Sequence, residues 1–80
     1  MIRVEIYSKP DCHLCEEAKA VLQEVQAEIP FTLLEIDIRS DPELYRRYEW
    51  EIPVIFINGR KAFKYRVEKR ALIRRLQRER

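Results

Sequence analysis

The chain has 80 residues, of which 46% are hydrophobic and 38% charged, and its net charge is +2. This length predicts a single domain over residues 1–80, and the apolar content excludes a wholly disordered chain. No apolar run approaches the ~20 residues that a membrane-spanning helix needs, and charges interrupt the first apolar stretch. We therefore expect neither a membrane span nor a signal peptide, and a cytoplasmic location.

The charges are unevenly distributed along the chain. Residues 1–59 hold six Lys or Arg against twelve Asp or Glu, a net −6, whereas residues 60–80 hold ten against two, a net +8. The basic end is either a nucleic-acid patch or the partner of the acidic part across the fold. Because no aromatic stacking platform or recognised motif accompanies it, we expect ion pairs with the first helix rather than nucleic-acid binding.

The first half of the chain predicts a strand, a helix and a second strand. Apolar and polar residues alternate over 2–7, as in a half-buried strand rich in β-branched residues. From Asp11 the period changes to that of a helix, which Pro30 closes. The apolar positions of this helix share one face: Leu14, Ala18, Val21, Leu22 and Val25. Residues 31–38 form the second predicted strand.

The second half begins with a short helix and ends with a hairpin and a last helix. Asp41 is a predicted N-cap with Pro42 at the first helical position, and this helix extends to about Tyr48. Asn58 and Gly59 tolerate positive φ and predict a hairpin turn. The remaining elements are a strand over 54–57, a returning strand over 61–65 and a helix over 68–78. The predicted order is β-α-β-α-β-β-α.

Two cysteines lie where the first strand leads into the first helix. Cys12 and Cys15 are three residues apart, so on a helix they face the same side, close to the ~5.5 Å Cα separation of a disulfide. Free N–H groups and the positive dipole end of a helix stabilise a thiolate, whose pKa is otherwise ~8.5. We predict Cys12 as the nucleophile and Cys15 as the resolving thiol. A protonated His13 would further favour the Cys12 thiolate.

The same two cysteines are also compatible with a metal site or with an inert pair. Zinc takes four ligands, and the only histidine of the chain lies between the cysteines, with no second C-x-x-C. One chain therefore supplies too few ligands for an ordinary structural zinc site, and a site shared between two chains is the remaining metal alternative. We favour redox chemistry and predict no bound metal.

Two segments of the sequence resemble a glutaredoxin-like member of the thioredoxin superfamily, and the resemblance covers essentially the whole chain. They are residues 7–15 around the cysteines and residues 51–59 before the hairpin. The resemblance implies an α/β minimal thioredoxin fold, a four-stranded mixed sheet with the first and third helices on one face and the second on the other. It also implies a cis Ile52–Pro53 bond beside the cysteines, with the Ile52 backbone offered to a substrate strand.

The resemblance assigns roles to residues around the cysteines. Cys12 is the attacking thiol, and Lys9 either lowers the pKa of this thiol or meets a substrate carboxylate. A solvated loop lysine is the alternative interpretation of Lys9. Independently of the resemblance, the position of Trp50 beside Pro53 makes it either part of a hydrophobic substrate rim near the thiols or a cap on the second helix.

The chain departs from the family pattern at three places. His13 and Leu14 replace the usual Pro-Tyr between the cysteines, and Glu51 puts an acid near the thiol. The Gly-Gly and Ser-Asp stretches that hold glutathione in the family are absent, and residues 63–68 take their place. Lys64 and Arg66 there are candidates for attracting glutathione carboxylates less specifically. Both glutathione and an external thiol reductase are therefore kept as electron donors.

Together these observations predict a small, monomeric thiol–disulfide oxidoreductase that reduces or exchanges disulfides in protein substrates. No bound cofactor is expected, and the upstream partner is a reductase or glutathione. Two alternatives from other classes are retained. One is a dimeric iron–sulfur or metal carrier in which each chain contributes Cys12, and the other is a non-catalytic thioredoxin-like interaction module.

Overall fold

The computed structural model of the chain describes residues 1–79 and contains a four-stranded sheet with three α-helices. The elements follow in the order β1 (Arg3–Ser8), α1 (His13–Gln26), β2 (Thr32–Asp37), a 3₁₀ turn (Ile38–Ser40), α2 (Pro42–Tyr48), β3 (Val54–Ile57), β4 (Arg60–Lys64) and α3 (Lys69–Arg78). Both the α/β class and the predicted order of elements are confirmed.

The sheet has the strand order β2-β1-β3-β4 and is mixed. β1 pairs with β2 in parallel, through the crossover that contains α1, and with β3 antiparallel. β3 pairs antiparallel with β4, with an irregularity in register between Ile55 and Phe56. The central strand β1 therefore ends between two neighbours, directly before the segment that carries the cysteines.

Helices α1 and α3 cover one face of the sheet and enclose the larger core. Alternation in β1 points Val4 and Ile6 to this face, where they meet the apolar sides of both helices. The buried members of the larger core are Val4, Ile6, Ala18, Leu22, Val25, Phe31, Ile55, Ile57, Val67, Leu72 and Leu76. This core fixes α1, and with it the start of α1, against the sheet.

Helix α2 covers the opposite face and encloses the smaller core. Its buried members are Cys15, Ile38, Tyr48, Ile52 and Val54. Tyr7 packs beside it, with its ring 5.1 Å from that of Tyr48 and 5.3 Å from that of Phe56 between centroids. Burial raises the pKa of the Tyr7 hydroxyl. The expected split, with one helix on one face and two on the other, is confirmed.

Several element boundaries differ from the sequence prediction by one or two residues, and each has a local cause. Asp11 has φ 60° and is outside α1, which starts at His13 because Cys12 takes the N-cap position. β2 stops at Asp37, whose carboxylate accepts the N–H of Arg39 and starts the 3₁₀ turn. α3 starts after Glu68, which is its N-cap.

The two turn signals of the second half are confirmed. The side chain of Asp41 accepts the N–H of Glu43 at 2.9 Å, and Pro42 begins α2. Asn58 and Gly59 have φ values of 49° and 82°, and they connect β3 to β4. The turn is held to the sheet by the N–H of Arg3, which donates to the Asn58 side-chain oxygen at 2.9 Å.

Among the described residues, the expected charge pairing between α1 and α3 is formed by Lys69 alone. Lys69 Nζ lies 2.8 Å from Glu24 and 3.6 Å from Glu28, and the hydrogen bond with Glu24 raises the pKa of Lys69. Within residues 1–79, the other exposed basic side chains of α3 form no ion pair with α1. They are Arg70, Arg74 and Arg78. The expectation was therefore wrong for most of the basic helix, because a spacing of four residues puts these arginines on its outer side.

Candidate active site

The cysteine pair lies at the start of α1. Cys12 has an extended backbone, and its sulfur accepts the N–H of Cys15 at 3.2 Å as the helix N-cap. The two cysteines form a disulfide, with their Cα atoms 5.2 Å apart. The arrangement is the oxidised form of a dithiol at a helix N-terminus.

The two sulfurs differ in their access to solvent. Cys15 is fully buried in the smaller core, whereas Cys12 is half-buried at its edge. In the reduced state, the backbone N–H of Cys15 and the helix dipole stabilise negative charge on the Cys12 sulfur. The geometry therefore suits Cys12 for attack on an external disulfide and Cys15 for an attack confined to its neighbour.

The loop that precedes β3 lies against the cysteines. Its Ile52–Pro53 bond is cis, and Ile52 packs with Cys15 in the smaller core. The N–H of Ile52 donates to the carbonyl of Tyr48 at 3.2 Å, and the carbonyl of Pro53 accepts the N–H of Tyr65 at 2.8 Å. Among the described residues, the carbonyl of Ile52 accepts no hydrogen bond. The pairing of the Ile52 backbone with a substrate strand stays a prediction, and the Ile52 N–H is already occupied by Tyr48.

Comparison with known proteins identifies the family. The family model described as "Glutaredoxin-like domain (DUF836)" matches residues 3–77. The chain belongs to this glutaredoxin-like family. It is 29% identical over 73 residues to a protein of Dictyostelium discoideum named "Glutaredoxin-like protein YDR286C homolog", with 84% of this chain and 68% of that protein covered.

Solved structures agree with this assignment. The NMR structure of protein Ne2328 from Nitrosomonas europaea is similar with a TM-score of 0.79 and 28% identity, over 92% of this chain and 89% of that one. Mitochondrial thioredoxin 3 of Saccharomyces cerevisiae in its oxidised form has a TM-score of 0.71 at 15% identity, over 96% and 77% of the two chains. The glutaredoxin-like domain therefore has the thioredoxin fold that the sequence predicted.

Lys9 and His13 flank the cysteines of the glutaredoxin-like domain but are held by other groups. The Lys9 ammonium lies 5.8 Å from the centroid of the Tyr45 ring. His13 Nε2 lies 2.9 Å from a carboxylate oxygen of Glu17, and the His13 side chain is 88% exposed. Within residues 1–79, neither side chain is hydrogen-bonded to a cysteine sulfur. Their roles at the thiol stay predictions.

Trp50 and Glu51 precede the cis bond and differ sharply in their surroundings. Trp50 is 82% exposed, so it does not pack as a cap on α2. The Glu51 carboxylate lies 2.9 Å from Lys61 and 3.9 Å from Lys64, both on β4. The hydrogen bond from Lys61 lowers the pKa of Glu51. The acid that the sequence put near the thiol is thus neutralised by two lysines of the neighbouring hairpin.

We expect the removal of Lys61 to raise the pKa of Glu51. Because the folded-state pKa lies below the ordinary value of about 4.3, the stabilisation from this pair is present above that pH and is lost as pH falls through the folded pKa. A Lys61→Met variant should move the Glu51 carboxyl titration, followed by NMR, upward toward its ordinary range, while Lys64 still lowers the pKa. An Arg70→Met variant removes an exposed charge elsewhere and should leave it in place. An unchanged Glu51 titration in Lys61→Met would contradict the assignment.

The basic residues at the end of β4 and just after it are also engaged within the domain. Lys64 Nζ lies 5.3 Å from the centroid of the Tyr65 ring, and Arg66 Nη1 lies 3.9 Å from the Glu17 carboxylate. Arg66 thereby connects the segment after β4 to α1 at Glu17, which lies two residues after Cys15 in the sequence. The structure brings Arg66 to the start of α1, while Lys64 belongs to the Glu51 group.

Sequence reasoning missed Tyr65, whose backbone contacts Pro53. Tyr65 has φ 69°. A glycine or asparagine at this position would have indicated a positive φ, but a tyrosine does not. Leu14 was assigned to the buried face of α1 with Val21, but both are only half-buried and line a cavity beside Tyr65. No local sequence signal marks this cavity.

The described part of the chain offers neither a metal-ligand cluster nor a membrane-spanning helix. Residues 1–79 contain no group of three or more His, Cys, Asp or Glu side chains arranged to hold a metal ion. Over the same residues, every helix is too short or too polar to cross a bilayer.

Proposed function

We propose that this glutaredoxin-like domain is a thiol–disulfide oxidoreductase that reduces disulfides in cytoplasmic protein substrates. The observation that carries the proposal is the pairing of an accessible Cys12 at a helix N-cap with a fully buried Cys15, joined as a disulfide. A buried partner confines the second sulfur to one reaction, the release of whatever is bound to Cys12.

The proposed cycle transfers two electrons in two exchange steps. The Cys12 thiolate attacks one sulfur of the substrate disulfide, and the other substrate sulfur leaves as a thiolate and takes a proton. The Cys15 thiol then gives up its proton and attacks the Cys12 sulfur. The second substrate sulfur leaves and is protonated, and the Cys12–Cys15 disulfide forms. An external dithiol must return two electrons and two protons to restart the cycle.

We further propose that this donor is a reductase or protein dithiol rather than glutathione. A tyrosine and an arginine stand in the segment after β4, where a close approach of the glutathione backbone would require small residues, and Arg66 is paired with Glu17. Assays that couple substrate reduction to each donor separate the two. Turnover with glutathione equal to that with a thioredoxin-reductase system would contradict this part of the proposal.

The dithiol itself is tested by equilibration in redox buffers, alkylation and intact-mass measurement. We expect one cooperative two-electron transition between Cys12 and Cys15 at about −200 to −270 mV, the range of glutaredoxins and thioredoxin. Independent alkylation of the two cysteines at every potential would contradict an oxidoreductase. Native mass spectrometry of the same samples reports whether the protein is the expected monomer.

A further inference from the structure

The segment between β4 and α3 contains a γ-turn centred on Tyr65. The N–H of Arg66 donates to the carbonyl of Lys64 at 2.8 Å, two residues back, and Tyr65 between them has φ 69°. This is the positive-φ form of the γ-turn, which is rare and strained. Glycine adopts it freely, whereas a tyrosine has a Cβ that crowds the backbone.

The turn is held against the loop beside the cysteines. The N–H of Tyr65 donates to the carbonyl of Pro53 at 2.8 Å, so the backbone of Tyr65 lies next to the cis Ile52–Pro53 bond. Tyr65 remains 43% exposed, so it is accessible to a bound substrate. A strained conformation retained beside a reactive group points to a role in the function of that group.

A cavity of about 350 Å³ lies between α1 and the segment that connects β4 to α3, and Tyr65 is one of the residues that line it. Its floor is the apolar row of α1 made by Leu14, Ala18 and Val21, which are four and three residues apart and share a helix face. The segment before α3 contributes four residues to the lining: Tyr65, Arg66, Val67 and Glu68. The volume is at the lower end of the range for ligand pockets in proteins.

The ion pair of Glu17 and Arg66 lies among the residues that line the same cavity. The pair brings both signs of charge to the cavity, and Glu68 adds a second acid to the lining, which disfavours an acidic ligand. The apolar row of α1 is the part of the wall that can be covered favourably by a ligand. An apolar group of a few carbon atoms is therefore the ligand that the lining suits.

Two of the residues that line the cavity, Leu14 and Tyr65, connect it with the segments around the cysteines. Leu14 lies between Cys12 and Cys15 in the first turn of α1. The N–H of Tyr65 donates a hydrogen bond to the carbonyl of Pro53, in the loop beside the cysteines. A substrate attached to the Cys12 sulfur has its own neighbouring residues within one or two residue lengths, ~3.5 Å each, of that sulfur. Such a residue is the group that reaches the cavity first.

We propose that Tyr65 is a specificity-determining residue for the reaction. The cavity between Leu14 and Tyr65 takes the apolar side chain of the residue next to the disulfide cysteine of a polypeptide substrate, and the Tyr65 ring covers that side chain. This inference rests on the proposed function, since it concerns the substrate of the same dithiol. It names the substrate class as protein disulfides flanked by aliphatic residues.

The test uses two peptides with one internal disulfide, which differ only in carrying leucine or alanine on both sides of each cysteine. The measured quantity is the ratio of kcat/KM for the leucine peptide to that for the alanine peptide. Four proteins are compared: wild type, Tyr65→Gly, Tyr65→Phe and Leu34→Ala. Leu34 is the matched control, because it is an apolar side chain with the same 43% exposure, located in the middle of β2.

We expect wild type to favour the leucine peptide by about tenfold, the scale on which pockets discriminate a few methylenes. The ratio should fall to about twofold in Tyr65→Gly and stay near tenfold in Tyr65→Phe, which keeps the ring, and in Leu34→Ala. Glycine suits φ 69°, so Tyr65→Gly should fold, and a Leu14→Ala variant tests the other wall with the same readout.

The outcomes separate the two proposals. If wild type reduces both peptides equally, or if Tyr65→Gly keeps the full preference, the specificity role of Tyr65 is wrong while the oxidoreductase proposal stands. If wild type reduces neither peptide nor any other disulfide, the oxidoreductase proposal fails, and the specificity role fails with it. A loss of preference in Leu34→Ala equal to that in Tyr65→Gly would also overturn the inference.

Discussion

Replacement of Cys15 by serine should trap the protein in covalent complexes with its substrates. The Cys12 thiolate of Cys15→Ser still attacks a disulfide, but no resolving sulfur remains to release the product. The mixed disulfide on Cys12 should therefore persist until an external thiol attacks it. Intact mass should show one substrate adduct per chain, removable by a strong reductant.

The matched control for this trap is Cys12→Ser. It removes the accessible nucleophile, so turnover should fall by about 10³-fold or more and no adduct should form, since Cys15 is enclosed in the smaller core. Adducts of equal yield in both variants would show that the roles of the two cysteines are not distinct. Adducts on Cys15 alone would reverse the assignment.

A truncation in the larger core should have the largest effect on stability. Leu22 is fully buried on α1, between the sheet and α3. Leu22→Ala removes buried methyl groups and leaves a cavity, and we expect it to lower the free energy of unfolding by roughly 2–5 kcal/mol. Domains of this size have about 4–12 kcal/mol in total, so the variant should be partly unfolded or close to it at ordinary temperatures. Urea denaturation followed by circular dichroism measures the change.

Leu34→Ala provides the comparison at the surface. Leu34 is 43% exposed on β2, so the same chemical change there should cost well under about 1 kcal/mol. The difference between the two variants isolates burial from the loss of a leucine as such. A cost for Leu22→Ala no greater than that for Leu34→Ala would contradict the description of the larger core.

The parts of the fold that were predictable from sequence are those fixed by neighbours along the chain. Alternating apolar residues gave β1, and Asp41 with Pro42 marked the start of α2 through a side-chain bond two residues away. Asn58 and Gly59 marked the hairpin, because few other residues adopt φ values of 49° and 82°. The position of the cysteines at a helix N-terminus followed from the same local change of period.

The parts that could not be predicted depend on contacts between distant segments. The cis form of Ile52–Pro53 came from the family resemblance, since most bonds before proline are trans. The backbone hydrogen bond between Tyr65 and Pro53 joins residues that are twelve positions apart. The residues around Tyr65 in the sequence therefore did not indicate its positive φ. The number of ion pairs between α1 and α3 depends on helix rotation, which composition does not determine.

Because the apolar residues form two cores, local opening of α2 is separate from unfolding of the larger core. Cys15 belongs to the smaller core, which the seven residues of α2 cover, whereas α1 is anchored mainly in the larger core. Elements with few buried contacts open first and at the lowest free energy, without global unfolding. A transient opening of α2 would therefore uncover the sulfur of Cys15 while β1, α1 and α3 remain folded. Backbone amides of α2 should accordingly exchange with solvent before those of α1. The thiol of Cys15 is then exposed by local opening of α2, at a free energy that the stability of the larger core does not set.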